Sequence, residues 1–271
     1  MSRLRRTAMV RWRAITDDCR RRRAYPLCIG RRTRIGLLGV AATIAALALI
    51  PAAGSASPHS HGPKHGVGRG TSTNWSGYAV PGSNATHVVG SWTQPAASCG
   101  AGENSWSSPW VGIDGDTSNT VEQIGTDTDC SRGAPFYYAW YEMYPKSLVT
   151  IGIPVRPGDS FTGEVTAASD SFVLRLTNNT TGQTFQTTQR SRKAKRTSAE
   201  WVMEGPSSGL LTNFGSVSFT GTSATISGQT GTLASFSGAQ PITMVTQQGV
   251  ARAAPSAVDG HGAFRVSWLH G

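Results

Sequence analysis

Residues 110–125, W-V-G-I-D-G-D-T-S-N-T-V-E-Q-I-G, combine two short strand-like runs with an acidic turn between them. Successive side chains of a strand point to opposite faces, so Trp110 and Asp114 share one face of the first run. Gln123 lies on one face of the second run, opposite to Glu122. This hairpin therefore offers an indole, a carboxylate and a primary amide. A strand that only packs into a core does not need Asp or Gln, so these positions are candidates for chemistry.

Two further strand-like segments carry carboxylates beside aromatic residues. In residues 198–204, S-A-E-W-V-M-E, the alternation predicts that Trp201 faces the core and that both glutamates face the other way. In residues 136–144, F-Y-Y-A-W-Y-E-M-Y, Glu142 shares a face with Trp140. Such a glutamate either lines a pocket or lies at the solvated face of a sheet, and the alternation alone leaves both interpretations open.

The commonest hydrolase signatures are absent from the sequence. It contains no G-x-S-x-G, no H-E-x-x-H and no glycine-rich phosphate loop. The histidines after residue 70 are His87, His261 and His270, and their surroundings do not suggest a catalytic triad. No Cys or His spacing is typical of a metal site, and we expect neither a metal nor a cofactor.

Carboxylates and amides on strands remain, and by themselves they single out no reaction. One reaction compatible with them is amide hydrolysis, which needs an activated water, a donor to the oxyanion and a proton for the leaving nitrogen. A carboxylate can take a proton from water and return it to nitrogen, while a primary amide can donate to the oxyanion. At acidic pH such a carboxylate stays ionised only if its pKa is no higher than roughly the ordinary 4.3.

The positive charge of the chain is confined to its first part. Of the 25 basic and 15 acidic residues, 12 and two lie within residues 1–56, which leaves 13 of each in residues 57–271. A nucleic-acid partner, which a formal net charge of +10 would suggest, is therefore not expected.

Residues 1–56 have the three parts of a secretory signal. An arginine-rich head is followed by the apolar run of residues 35–50 and then by the small residues 52–56. The run is rich in Ala and Gly and short for a stable span, so secretion is favoured over a retained anchor. We predict a secreted, extracellular protein with no membrane association after removal of the signal, and we expect a monomer.

After the signal, two regions of different composition follow. Residues 57–70, S-P-H-S-H-G-P-K-H-G-V-G-R-G, have the composition of a flexible linker or a short propeptide, although three histidines in such a tract are also compatible with metal binding. Residues 71–271 contain short alternating segments separated by Gly, Ser, Asn and Pro, which predicts a single all-β sandwich or barrel domain. Cys99 and Cys130, the two cysteines of this region, favour a disulfide in an exported protein.

Five blocks of the sequence resemble the glutamic peptidases, also called eqolisins. They occur in family order, and they are N-W-S-G-Y (74–78), W-V-G-I-D-G-D (110–116), the Gln-x-Gly of residues 123–125, A-W-Y-E-M-Y-P (139–145) and A-E-W-V-M-E (199–204). The resemblance implies a lectin-like sandwich of two curved antiparallel sheets, of the concanavalin A-like lectin/glucanase type, with the active site on the concave face. It also implies acid endopeptidase activity on protein or peptide substrates.

The resemblance also assigns the residues of the site. The catalytic pair matches Gln123 and Glu204, the second glutamate of its block rather than Glu200. The supporting residues of the substrate cleft match Trp110, Asp114 and Glu142, and Asp127 falls on an acidic position of the family. Tyr138 departs from the family pattern, because fungal members carry Asp there, and this departure bears on the substrate subsites.

Two functions of other classes stay open at this point. A glycoside hydrolase on the same sandwich would pair Glu204 with Glu122 or Glu142. A carbohydrate- or peptide-binding module would use the aromatic residues of the cleft and leave Gln123 and Glu204 without a reaction to perform.

Overall fold

The computed structural model describes residues 58–271, which form an almost entirely β structure. The signal peptide predicted for residues 1–56 lies outside the described residues, so it stays a prediction. Among residues 58–271, no helix is long and apolar enough to cross a membrane. The described chain contains a single 3-10 turn, Leu233–Ser235, in addition to its strands.

Seven strands form an antiparallel sheet, called here the front sheet, which carries the candidate site. In spatial order, they are β15 (Gln240–Val245), β3 (Trp75–Pro81), β12 (Ser198–Glu204), β5 (Ser108–Ile113), β6 (Val121–Ser131), β7 (Ala134–Tyr144) and β8 (Val149–Ile151). The strand β12 therefore lies between β3 and β5, at the centre of the sheet.

The remaining strands form the back sheet, which β15 joins to the front sheet at one side. In spatial order they are β11 (Gln183–Arg190), β10 (Ser171–Asn178), β9 (Ser160–Ala168), β4 (His87–Thr93), β13 (Ser216–Ile226), β17 (Phe264–Trp268), β16 (Ala251–Pro255), β15, β2 (Thr71–Ser72) and β1 (Gly66–Gly68). A further strand, β14 (Gln229–Thr232), forms a hairpin with the end of β13.

The hydrophobic core lies between the two sheets and follows the alternation of the sequence. In β9, Phe161 and Val165 are buried between residues that are partly exposed, as expected for a sheet with one face on the core. From the front sheet, Trp201 and Met203 enter the same core. The prediction of an all-β sandwich is confirmed, and so is the assignment of Trp201 to the core.

The strands at the centre of the front sheet are buried on both faces. Every residue of β12 and of β5 is buried, including Glu200 and Glu204. A second apolar cluster explains this burial, because Trp75, Trp110 and Trp140 pack on the face that points away from the main core. This second face of the front sheet holds the candidate site.

The predicted disulfide between Cys99 and Cys130 is present. It ties the loop that precedes β5 to the end of β6 across a sequence separation of 31 residues. Closing a loop of this length in the unfolded chain is worth about 3–4 kcal/mol in the chain-entropy view of disulfide stabilisation.

We therefore expect the double variant Cys99→Ser, Cys130→Ser to lose about 3–4 kcal/mol of unfolding free energy. Urea unfolding followed by circular dichroism measures this loss. Wild-type protein unfolded in the presence of a reductant serves as the control and should show a similar loss. Equal unfolding free energies for the oxidised wild type and the double variant would contradict the expectation.

Candidate active site

The carboxyl group of Glu204, at the end of β12, lies at the centre of a network of hydrogen-bond donors. The indole Nε1 of Trp110 donates to Oε2 over 2.9 Å. The side-chain amide of Asn74 and the backbone N–H of Gly62 both donate to Oε1, each over 3.1 Å. The side chain is 2% exposed, so these donors satisfy a carboxyl group that has little contact with solvent.

The strand register explains why these groups meet. Glu204 lies opposite Trp75 of β3 and Ser108 of β5, so both neighbouring strands reach its side chain. Trp110 lies opposite Gly125 of β6, where a Cβ atom would lie 2.6 Å from the Cβ of Trp110. The absence of a side chain at residue 125 therefore leaves the room that the indole needs to reach the glutamate.

Gln123 projects from β6 on the same face, and its amide also points into the site. Its Nε2 donates to the backbone carbonyl of His61 over 2.6 Å. Its Oε1 is buried and has no hydrogen-bond partner within residues 58–271. Gln123 lies opposite Glu142 of β7 in the strand register, which places a second carboxylate beside the amide.

Residues 59–65, which the sequence predicts to be a linker or short propeptide, lie across this face of the front sheet. The Glu142 carboxylate accepts the backbone N–H of His61 and the hydroxyl of Ser60, both over 2.7 Å. Further along the segment, Trp75 donates its indole N–H to the carbonyl of Gly62 over 3.0 Å. The segment thus makes backbone contacts of the kind that hold a bound peptide.

The peptide group between His61 and Gly62 lies between Gln123 and Glu204. Its carbonyl oxygen accepts the Gln123 amide, and its N–H donates to the Glu204 carboxyl group. A peptide bond is therefore held with its oxygen at an amide donor and its nitrogen at a carboxyl group. These are the two partners that hydrolysis of that bond requires.

The pKa of Glu204 is raised to about 8, because burial disfavours its charged form. The nearby His61 and the N–H donors of Gly62, Trp110 and Asn74 act in the opposite direction and offset only part of the burial. The condition stated above for a base that works at acidic pH, a pKa no higher than the ordinary one, is therefore not met while residues 61 and 62 lie against Glu204.

A second buried carboxylate, that of Asp127 on β6, lies beside the imidazole of His61. Asp127 Oδ1 accepts the indole N–H of Trp140 over 2.8 Å, and the hydroxyl of Tyr138 donates to Oδ2. The Nε2 of His61 lies 3.2 Å from Asp127 Oδ1, and its ring stacks on Trp140 at a centroid distance of 4.1 Å. Tyr138, the residue that departs from the family pattern, therefore contacts the carboxylate beside His61 directly.

Asp114 lies away from the Gln123–Glu204 pair and holds a loop. Its backbone has a φ of 73°, a left-handed conformation that turns the chain after β5. Its carboxylate accepts the backbone N–H groups of Lys195, Arg196 and Thr197 over 2.7–2.8 Å. The structure thus brings together Trp110, Gln123, Glu142 and Glu204, while Asp114 positions the loop before β12.

The other two glutamates considered from the sequence are buried and make no hydrogen bond to the peptide group of residues 61 and 62. The carboxyl oxygens of Glu122 and Glu200 have no hydrogen-bond partner within the described residues. Burial raises the pKa of Glu122 to about 8 and that of Glu200 well above its ordinary value, and the negative charge of Asp114 adds to both shifts. Glu122 lies next to Gln123 in β6, so its side chain points to the opposite face.

Sequence reasoning assigned no role to two residues that the structure places in the site. Asn74 touches Glu204, and the only signal for it was its position in the first of the five family blocks. His61 is fully buried although it belongs to a tract rich in His, Gly and Pro. No alternation of polar and apolar residues could reveal its place, because its partners come from distant strands.

Comparison with known proteins identifies the family. The model of the Peptidase A4 family matches residues 73–268. Aspergillopepsin-2 of Aspergillus niger is 35% identical over 187 residues, which cover 59% of this chain and 66% of that protein. Scytalidopepsin B of Scytalidium lignicola is 39% identical over 138 residues, which cover 49% of this chain and 51% of that protein. The matches thus span less than two thirds of either curated relative.

A solved structure agrees with these sequence relatives. The structure of scytalido-glutamic peptidase with a transition-state analogue inhibitor superposes with a TM-score of 0.63 at 30% identity, covering 73% of this chain and 98% of that one. The resemblance to the glutamic peptidases that the sequence blocks indicate is confirmed. With most of its length matched, this chain belongs to the Peptidase A4 family.

Proposed function

We propose that this protein is a secreted acid endopeptidase in which Glu204 and Gln123 form the catalytic pair. The main observation behind the proposal is how the peptide group of His61 and Gly62 is held. Its oxygen accepts a hydrogen bond from Gln123, and its N–H donates to Glu204. The family supports it too, because glutamic-type peptidases are its members. The solved relative that contains a transition-state analogue is a peptidase by its name.

In the proposed mechanism, water attacks the carbonyl carbon of the substrate directly. Glu204 takes a proton from the water and later gives it to the leaving nitrogen. The N–H of Gln123 donates to the oxyanion that forms, and one such donor is typically worth roughly 3–4 kcal/mol of barrier. The Gln123 Oε1, which has no partner within residues 58–271, is free to orient the attacking water.

The raised pKa of Glu204 bears on when the carboxylate is available. Burial is the first cause of the shift, and residues 61 and 62 supply part of that burial. When the segment leaves and water enters, the donors Trp110 and Asn74 stay in place and favour the charged form. The carboxylate that accepts a proton therefore belongs to a hydrated cleft rather than to the filled one.

The other residues proposed for substrate binding divide into two roles. Glu142 holds backbone and hydroxyl donors of residues 60 and 61, so we assign it to the backbone of the substrate. Trp110 acts through its hydrogen bond to Glu204, and Asp114 acts through the loop that precedes β12. Gln123, Glu204 and Glu142 are thus the groups that face a bound peptide.

We also propose the following processing and location. Residues 1–56 act as a secretory signal, residues 57–70 as a linker or short propeptide, and residues 71–271 as the peptidase domain. The Cys99–Cys130 disulfide supports an extracellular location, because disulfides persist in oxidising compartments.

A digest at acidic pH tests the proposed function against its alternatives. We expect the full chain to release peptides from casein at about pH 4 and to release no reducing sugar from a panel of polysaccharides. Heat-inactivated protein is the control. Sugar release without peptide release would favour the glycoside hydrolase, and neither product would favour a binding module.

A further inference from the structure

The segment of residues 59–65 shows the direction in which a peptide lies in the cleft. The carbonyl that meets Gln123 belongs to His61, and the N–H that meets Glu204 belongs to Gly62. In a substrate bound in the same way, the residue at the position of His61 would supply the acyl side of the cleaved bond. The residue at the position of Gly62 would supply the leaving amine. The pocket around His61 is therefore the one that meets the side chain before the cleaved bond.

This pocket is closed, aromatic and acidic. The His61 side chain is fully buried, stacks on Trp140 at an interplanar angle of 18°, and meets the edge of Trp106 at a centroid distance of 5.2 Å. Its Nε2 lies 3.2 Å from the Asp127 carboxylate. The hydrogen bonds of Tyr138 and Trp140 hold that carboxylate in place, and both come from β7 rather than from the segment of residues 59–65.

Carboxyl groups on three strands face the imidazole. They are Asp127 on β6, Glu142 on β7 and Glu204 on β12, whose Oε2 lies 3.7 Å from the Nδ1 of His61. His59 of the same segment stacks on Trp106 and lies 3.8 Å from Asp129, and burial lowers the pKa of its imidazole. Burial alone would lower the pKa of His61, but the three carboxyl groups outweigh burial and raise it.

We propose that the pocket formed by Asp127, Trp140 and Trp106 selects a protonated imidazole, so that this enzyme prefers to cleave peptide bonds on the carboxyl side of histidine. The proposal rests on the proposed function, since it concerns the substrate of the same catalytic pair. Stacking on the indoles selects a flat ring, and the Asp127 carboxylate selects a donor with positive charge. Phenylalanine satisfies only the first requirement, and lysine satisfies only the second.

The reaction at such a bond balances as an ordinary hydrolysis. The water oxygen bonds to the histidine carbonyl carbon, and the bond from that carbon to the next nitrogen breaks. The proton that Glu204 takes from water goes to this nitrogen. The products are a peptide that ends in histidine and a peptide with a new amino terminus, and no other reactant is consumed.

The test compares three peptides that differ only in the residue before one cleavable bond, which is His, Phe or Lys. Steady-state kinetics with the full chain at about pH 5 give kcat/KM for each peptide. We expect kcat/KM of the His peptide to exceed that of both others by roughly tenfold or more, because only the imidazolium ring both stacks on Trp140 and lies within ion-pair distance of the Asp127 carboxylate. The preference of His over Phe should decline as the pH rises through about 6.5, where the free imidazole loses its proton.

Residues 59–65 of the enzyme compete with every peptide, but they do not disturb this comparison. A competitor in the same cleft divides each kcat/KM by the same factor, so the ratios between peptides stay unchanged. The variant His61→Gly, which empties the pocket, is measured alongside. We expect it to cleave all three peptides faster and to keep the same order of preference.

The variant Asp127→Asn identifies the group that selects the charge. We expect the ratio of kcat/KM for the His peptide to that for the Phe peptide to fall by roughly tenfold, to about one. Circular dichroism checks that the variant folds. Asp170→Asn, which changes an aspartate of the β9–β10 turn near Arg190, is the matched control and should keep the full preference.

The outcomes separate this proposal from the proposed function. Equal kcat/KM for the His and Phe peptides, or an unchanged His preference in Asp127→Asn, would contradict the proposed preference for histidine. Neither result would contradict the proposed peptidase function. Failure of both the wild type and His61→Gly to cleave any peptide, and failure on casein, would overturn both.

Discussion

The variant Glu204→Gln is expected to have no detectable peptidase activity. Glutamine keeps the size and the hydrogen-bond acceptor of the side chain, but it can neither take a proton from water nor return one to nitrogen. A glutamine oxygen at the position of Oε1 still accepts from Asn74 and Gly62, and of the three donors only Trp110 loses its acceptor, so the fold should persist. Casein hydrolysis at about pH 4 measures the loss, and circular dichroism checks that the β structure is retained.

The buried glutamates Glu200 and Glu122 provide matched controls for this variant. Neither touches the peptide group of residues 61 and 62, so Glu200→Gln and Glu122→Gln should retain substantial activity. Full activity in Glu204→Gln, or an inactive Glu122→Gln with an intact fold, would contradict the assignment. The double variant Gln123→Glu, Glu204→Gln should be little worse than Glu204→Gln alone, since both residues act on the same step.

The unfolding free energy is expected to fall as the pH rises from about 4.5 to about 8. In the folded protein the pKa values of Glu122 and Glu204 are raised to about 8, and the pKa of Asp129 is raised as well. Burial is the largest cause of all three shifts. A carboxyl whose pKa is higher in the folded state stabilises the fold below its ordinary pKa. That stabilisation is lost as the pH approaches the raised value. Each such group contributes about 1.4 kcal/mol per pH unit.

Urea unfolding at pH 4, 6 and 8 measures this dependence. The variant Glu122→Gln cannot ionise at residue 122, so its unfolding free energy should fall less steeply with pH than that of the wild type. It thereby isolates one contribution without changing the catalytic pair. Stability that increases from pH 4 to pH 8 would show that these carboxyl groups are ionised in the folded state.

Much of the fold and part of the site follow from the sequence, because a strand has a side-chain period of two. The alternation places Trp201 in the core and separates Gln123 from Glu122 within β6, but it does not say which face of β5 or β6 meets the core. Alternation cannot distinguish Glu204 from Glu200, since both lie on the same face of β12. The strand register distinguishes them, because it brings Glu204 beside the ends of β3 and β5.

The rest of the site depends on contacts between residues far apart in the chain, which no local pattern reveals. The Gly62 amide and Glu204 are separated by 142 positions, and the Lys195 amide and Asp114 by 81. Both contacts are polar and involve backbone groups, so the identity of the residues carries little information about them. A tract rich in His and Gly looks like a linker because its interactions do not come from apolar side chains.

The covalent continuity of residues 59–65 with the domain has a consequence for how the cleft is emptied. A segment tethered to its own binding site has an effective concentration that dilution does not change, in the millimolar range for short flexible tethers. Residues 66–68 pair with β2, so the tether is anchored close to the cleft. A dilute external peptide therefore competes with a segment whose effective concentration at the cleft is constant and high. Scission of the chain near residues 59–65, rather than a lower enzyme concentration, is what would change that balance.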